Sequence, residues 1–149
     1  VCYVKDIGNP VFLDTAEPYY YLQPVCNPSS ITYVRTSKQS KNMRSLISSN
    51  LAKEYLAGFA NLDVSYDDNE KNRQKVYADI FRSCDFLQWM KMFKGISEER
   101  ERRALSGHKL LMSDANSLNK VENCIAAEIS KVFQISLEQA KTRLGLAVS

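Results

Sequence analysis

Proline is confined to the first part of this 149-residue chain and occurs only at Pro10, Pro18, Pro24 and Pro28. Because proline lacks an amide donor and its ring clashes with the preceding turn, it interrupts helices. The same part of the chain contains short runs rich in tyrosine, valine and isoleucine, which favour strands. The four runs are Cys2–Lys5, Val11–Asp14, Tyr19–Gln23 and Ile31–Arg35. The chain is therefore predicted to begin with short antiparallel strands and to continue as helices.

Helical periodicity starts after the strand-rich part. Apolar residues at i, i+4 steps predict an amphipathic helix of about five turns over residues 40–60. A second long helix is predicted over residues 67–93, with Gly95 ending it. Ser97 is then expected to cap a short charged helix that ends before Gly107.

Residues 125–146 have the pattern of a helix, a tight turn and a second helix. Ser136 is expected to cap the second helix, and Gln139, three residues later, completes a capping box. Ala140 is small where two crossing helices approach closely, and Leu144 is expected to close their shared core. This is the arrangement of a helix-turn-helix.

These elements predict an α+β fold, with a small antiparallel N-terminal sheet packed on a mostly helical body and a C-terminal helix-turn-helix-like pair. The length suits a single domain over residues 1–149. Its parts are predicted as a strand-rich segment, 1–36, a helical body, 37–112, and the helix-turn-helix-like element, 113–149.

Composition excludes several classes. Hydrophobic residues make up 44% and charged residues 25%, which is typical of a globular protein rather than a disordered one. No apolar run approaches the roughly 18 residues of a membrane span, so no membrane partner is expected. The start of the chain does not have the pattern of a secretory signal. The four cysteines form no C-x-x-C pair, and free cysteines favour a reducing, cytoplasmic setting.

Motifs for catalysis or cofactor binding are missing from the sequence. The one histidine, His108, lies in a predicted connection between helices and is interpreted as a surface or capping residue. Standard nucleotide-binding loops do not occur among the five glycines. We therefore expect no catalytic residues, no metal and no cofactor.

Two groups of residues are candidates for binding a partner. Phe86, Trp89 and Phe93 widen the apolar face of the second long helix, which makes them either core or a protein-binding surface. A basic strip and the second C-terminal helix are candidates for nucleic acid, the strip on phosphates and the helix near base edges. The residues of this second group are Arg35, Lys38, Lys41, Arg44, Gln139, Lys141, Thr142 and Arg143.

The charge balance argues against strong DNA binding. Net charge is only +3, and Glu138 within the would-be recognition helix repels phosphate. The alternative interpretations are a solvated basic face and a C-terminal pair that only packs.

Residues 129–136, followed by Ala140 and 143–146, resemble the C-terminal element of ImmA/IrrE-type proteins. That family comprises zincin-like metallopeptidases of mobile elements and stress responses, which cleave a partner repressor. The predicted order of elements is similar as well. In the register of the family's H-E-x-x-H motif, however, Lys53 and Ala57 replace both histidines and only Glu54 remains. The resemblance therefore implies a relative that keeps binding and has lost hydrolysis.

The leading hypothesis is a non-enzymatic regulatory or interaction protein of phage or mobile-element origin that binds a protein partner. One alternative is a DNA-binding transcriptional regulator that acts through its helix-turn-helix. Another is a metal-independent enzyme with a site near Glu54, and a third is a subunit of a larger assembly. Self-association is compatible with each of them.

Overall fold

The chain divides into two compact units, Val1–Ser45 and Leu46–Ser149, and each is treated separately below. The prediction of a single domain over residues 1–149 stays a prediction. The computed structural model describes four stretches of the chain, 1–14, 16–25, 27–38 and 43–148.

The first unit contains a three-stranded antiparallel sheet in the order β1-β2-β3. Its strands are β1, Cys2–Gly8, β2, Tyr19–Pro24, and β3, Thr32–Arg35. The β1–β2 register shifts between Val4 and Asp6. Three of the four predicted strands are confirmed, with ends that move by a few residues.

The predicted strand Val11–Asp14 is wrong. These residues lie in the connection between β1 and β2, where the Leu13 amide donates to the Pro10 carbonyl at 3.0 Å and closes a turn. A turn that starts at a proline leaves no extended run for pairing.

The second unit is helical in its described residues. Its helices are α1, Ser49–Ala57, α2, Glu70–Ser83, α3, Phe86–Leu105, α4, Met112–Val132, and α5, Leu137–Val148. An antiparallel sheet followed by these helices confirms the predicted α+β class and the C-terminal helix pair.

Helix α1 is shorter than predicted because it begins at a cap. The Ser48 hydroxyl accepts from the Leu51 amide at 3.2 Å, as an N-cap does. One residue earlier, the Ile47 amide donates to the buried carboxylate of Glu128 in α4 at 2.9 Å. This bond across the unit holds the chain before Ser48 outside the helix.

The predicted long helix over residues 67–93 is two helices. Cys84 has a left-handed φ of 53°, which ends α2. Asp85 caps α3 by accepting from the Gln88 amide at 3.1 Å. No glycine or proline marks this break in the sequence.

Gly95 and Ser97 do not separate two helices, contrary to the prediction. Both are buried inside α3, which continues to Leu105. A Cβ at Gly95 would lie 3.6 Å from the Ser65 carbonyl oxygen, so this glycine faces the segment before α2. Tertiary packing here outweighs the intrinsic cost of a helical glycine, about 1 kcal/mol.

The C-terminal pair forms as predicted. The Gln139 amide donates to the Ser136 hydroxyl at 3.1 Å, and the Ser136 amide donates to the Gln139 side-chain oxygen at 3.0 Å. Gln134 has a left-handed φ of 55° in the turn. Ala140 and Leu144 are fully buried. The capping box fixes the start of α5, and the two buried side chains fix its packing on α4.

A buried ion pair joins α2 to the first turn of α4. The Arg73 Nε and Nη2 atoms donate to the two carboxylate oxygens of Asp114 at 3.0 and 2.8 Å. Tyr66 and Gln74 each donate to the same carboxylate at 2.8 Å. The remaining Arg73 terminal nitrogen donates to the Asp67 carbonyl at 2.5 Å. Burial, and then the bond to Asp114, raise the pKa of Tyr66 to about 12, so its hydroxyl stays protonated at neutral pH.

Leu144→Ala is expected to lower the free energy of unfolding by about 2–5 kcal/mol, because the side chain is fully buried and its removal leaves a cavity. Leu146→Ala is the matched control on the same helix, since Leu146 is 72% exposed, and should change stability by less than about 1 kcal/mol. Urea unfolding followed by circular dichroism measures both. If both variants lose less than about 1 kcal/mol of unfolding free energy, the packing of Leu144 does not hold α5 on the rest of the unit.

Asp114→Asn is expected to cost about 3–5 kcal/mol, because it leaves the buried Arg73 guanidinium without a counter-charge. The control is Asp79→Asn, which breaks an exposed pair with Arg82 and should cost about 1 kcal/mol or less. Guanidinium titrations of the two variants give the comparison. Equal losses would contradict the central role of the buried pair.

Candidate functional site

The role of Phe86, Trp89 and Phe93 in binding a partner stays a prediction, and the structure places most of the surface of all three rings inside the helical unit. Their exposed fractions are 3%, 7% and 6%, and all three belong to the core of the helical unit. The Trp89 indole also donates to the Ile80 carbonyl in α2, at 3.3 Å. These rings close the interior between helices, which is the alternative that the sequence left open.

The predicted basic strip is only partly described. Arg35 is exposed, and its Nε atom donates to the Tyr19 hydroxyl at 2.8 Å. Arg44 is exposed as well, and donates to the carbonyl of the next residue at 2.9 Å. Lys41 and the side chain of Lys38 lie outside the described residues. The strip belongs to the first unit and α5 to the second, so a duplex held by both stays a prediction.

The predicted DNA-contacting side chains of α5 make contacts within the protein. Gln139 belongs to the capping box, and the Thr142 hydroxyl donates to a backbone carbonyl one turn earlier at 3.0 Å. The Lys141 ammonium lies 3.9 Å from the Glu122 carboxylate. The Arg143 guanidinium lies 5.0 Å from the centroid of an aromatic ring in the α4–α5 turn. Both cations of the helix are thus engaged locally.

The proposed enzyme site near Glu54 lies on the outer side of α1. Lys53, Glu54 and Ala57 are exposed, whereas Ala52 is fully buried against the body. Three depressions in the described surface of the helical unit are lined by other residues. The enzyme alternative stays a prediction.

A groove of about 510 Å³ lies between α3, α4 and α5; we call it the α3–α5 groove. Its apolar lining comes from three parts of the helical unit: Phe93 in α3, Leu110 before α4, and Ala115 and Leu118 in α4. Gly145 contributes the α5 side, and a Cβ added there would meet nothing within 4 Å. The groove is therefore open on the side of α5.

The polar residues that line the α3–α5 groove carry both signs of charge. Arg100 and Glu101 come from α3, and Asn119 and Glu122 from α4. Glu122 also faces Lys141 of α5. A lining with an apolar part and mixed charges suits another protein surface better than a polyanion.

Strongly exposed apolar side chains occur next to the groove residues in sequence. Leu146, which follows Gly145, is 72% exposed, and Met112, just after Leu110, is 75% exposed. Leu105 at the end of α3 is 90% exposed. Sequence reasoning missed this surface, although the run Leu110-Leu111-Met112 at a joint between helices was a visible signal.

Glu99 is a buried carboxylate on α3, with an exposed fraction of 4%. It accepts from Arg102 at 2.7 and 2.8 Å and from Arg103 at 2.6 Å. These bonds, that of Arg102 foremost, hold the pKa of Glu99 below its ordinary value of 4.5 despite the opposing effect of burial. The negative charge of Glu99 is therefore held in place and balanced by the two arginine side chains.

Among the described residues, no cluster of three or more histidine, cysteine, aspartate or glutamate side chains is arranged to hold a metal ion. His108 is exposed in the connection between α3 and α4. None of the described helices is long and apolar enough to cross a membrane.

Comparisons with known proteins bring no match: no family model fits this chain, and no curated protein matches it. The resemblance to ImmA/IrrE-type proteins therefore stays a hypothesis.

Glu99→Gln is expected to reduce the loss of stability on acidification. A carboxylate whose folded-state pKa is lowered stabilises the fold above its unfolded pKa and loses that contribution as pH falls through the folded value. Urea midpoints between about pH 6 and pH 3 should thus fall less steeply in Glu99→Gln than in the unmodified protein. Glu101→Gln, on the exposed side of α3, is the control, and identical slopes in all three proteins would contradict the prediction.

Proposed function

We propose that this protein is a non-enzymatic interaction protein whose helical unit binds an amphipathic helix of a protein partner in the α3–α5 groove. The observation that carries the proposal is a partly apolar groove whose lining residues have strongly exposed apolar residues near them in sequence, namely Leu105, Met112 and Leu146. Exposed apolar surface and grooves with an apolar lining are both typical of protein interaction sites.

A helix is the occupant that suits this groove. Helical ligands place apolar residues at i, i+3 or i+4 and i+7 along one side, and dock them between the helices of a receptor. The apolar lining would receive that side. Arg100 and Glu101 would face the polar flanks of the ligand. Each large apolar side chain that becomes buried contributes roughly 1.5–3 kcal/mol before the costs of association.

The regulatory role, the phage or mobile-element origin and the cytoplasmic setting are part of the same proposal, but they rest on the sequence resemblance and on cysteine usage alone. The groove itself supports only the binding of a protein.

Duplex DNA is kept as the alternative partner because the turn, the capping box and the buried Ala140 have helix-turn-helix geometry. The charges of α5 count against this alternative. Lys141 is paired with Glu122, and the acidic Glu138 is exposed in the first turn of the helix. DNA affinity depends on the number of phosphates that Lys and Arg side chains neutralise, so cations engaged within the protein contribute less to it.

Gly145→Arg is expected to abolish helix binding without unfolding the protein, because the added side chain enters the groove from an open position. The probe is a helical peptide selected from a displayed amphipathic library against the full chain and then made synthetically. Fluorescence anisotropy should show at least about tenfold weaker binding of the peptide to Gly145→Arg.

The matched control is Thr142→Arg, which adds the same charge to an exposed position of α5 that does not line the groove. This variant should bind the peptide as the unmodified protein does. If the peptide tolerates Gly145→Arg, or if both variants lose it equally, the groove is not the binding site. Failure to select any helical peptide would also count against the proposal.

A further inference from the structure

Aromatic side chains form a cluster on one face of the N-terminal sheet. Tyr21 of β2 pairs with Tyr33 of β3 in the strand register, and their ring centroids lie 4.9 Å apart at an interplanar angle of 76°. Phe12, from the β1–β2 connection, lies 5.0 Å from Tyr33 at 78°. The three rings thus make one continuous edge-to-face cluster, which we call the aromatic face.

The aromatic face is open to solvent. Phe12 is 66% exposed and Tyr33 is 37% exposed. Tyr3 pairs with Gln23, two residues along β2 from Tyr21, so it projects on the same side of the sheet, and it is 49% exposed. A contiguous patch of exposed rings is typical of an interaction site, whereas single exposed apolar residues are ordinary.

The basic residue Arg35 lies at one end of the aromatic face. Arg35 follows Tyr33 by two residues in β3, so both project from the same side of the sheet. The bond from Arg35 to the Tyr19 hydroxyl, at 2.8 Å, holds the guanidinium in place. Glu17 is the acidic neighbour of this guanidinium, and Asp6 lies opposite Tyr21. Glu17 offsets part of the charge of Arg35, but Arg35 is the basic residue that β3 places on this side of the sheet, so we place an anionic backbone at this end rather than beside Asp6.

The charge of the first unit favours an anionic ligand. Residues 1–45 contain five basic and three acidic residues, so they carry most of the excess positive charge of the chain. Four of the basic residues occur within residues 35–44, which contain no acid. An aromatic surface that ends in positive charge matches a ligand with flat apolar rings and an anionic backbone.

We infer that the aromatic face binds single-stranded nucleic acid, with bases against Phe12, Tyr21 and Tyr33 and a backbone phosphate at Arg35. Aromatic side chains on sheets bind unpaired bases by stacking, which depends little on sequence. A duplex keeps its bases stacked on one another and closed to such a surface. The site is distinct from the α3–α5 groove and does not depend on it.

The experiment uses the full chain and fluorescein-labelled oligonucleotides of about 12 nucleotides, single-stranded DNA, single-stranded RNA and the corresponding DNA duplex. We expect both single strands to raise the anisotropy at low salt, with affinities that fall as salt rises, and the duplex to bind at least about tenfold more weakly. A difference between the DNA and RNA arms identifies which of the two is the ligand. Gly145→Arg should leave these affinities unchanged, which separates this site from the groove.

Phe12→Ala should weaken single-strand binding by roughly tenfold, because one stacking ring is lost from an exposed connection that does not support the core. Tyr33→Phe should retain binding, since the ring is kept. Val4→Ala is the matched control, because Val4 is 54% exposed and pairs with Leu22 on the opposite side of the sheet. Arg35→Gln should reduce the slope of log affinity against log salt concentration by about 1, which is the contribution of one phosphate contact.

Three results would overturn the inference. They are the absence of single-strand binding at low salt, equal binding of duplex and single strand, and a loss in Phe12→Ala no larger than in Val4→Ala. In each case the aromatic face would not be a stacking surface for bases.

Discussion

The carboxylate of Asp114 receives donors from several segments of the helical unit at once. Arg73 and Gln74 reach it from α2, and Tyr66 reaches it from the segment before that helix. A buried charge of this kind is tolerated only when its partners are all in place, because the cost of desolvation is several kcal/mol for each ion. The carboxylate also sits in the first turn of α4, where the helix dipole favours a negative charge and no side chain caps the helix. The positions of α2, of α4 and of the segment between α1 and α2 are therefore coupled through one group.

Two other charged side chains of this unit, one buried and one half-buried, also bind polar groups of connecting segments. Glu128 holds the chain before α1 through the Ile47 amide, and Lys94 holds the short turn after α1 by donating to the carbonyls of Ala60 and Leu62, both at 2.7 Å. In each case a side chain of a long helix binds the backbone of a connecting segment that has no helical partner for its own polar groups. The connections are ordered by charged groups from α3 and α4.

Sequence reasoning succeeded where the determining contacts are local. The capping box of Ser136 and Gln139 spans four residues, and both of its hydrogen bonds are present. It failed where contacts between distant residues decide. The end of α2 at Cys84 has no glycine or proline to mark it, and the prediction that Gly95 ends a helix is wrong because this glycine faces Ser65 inside α3. Both the Arg73–Asp114 pair and the α3–α5 groove join residues far apart in the chain, so periodicity could not reveal them.

Gly145 links the stability of the helical unit to its proposed role. A glycine inside a helix costs about 1 kcal/mol relative to alanine, and it is normally retained where a side chain would collide with a neighbour. At Gly145 a Cβ would meet nothing within 4 Å, so packing does not require the glycine. Leu144, directly before it, is fully buried and holds α5 on the body. Leu144 therefore anchors the helix, and in the proposed function Gly145 leaves room for a ligand on the α5 side of the groove.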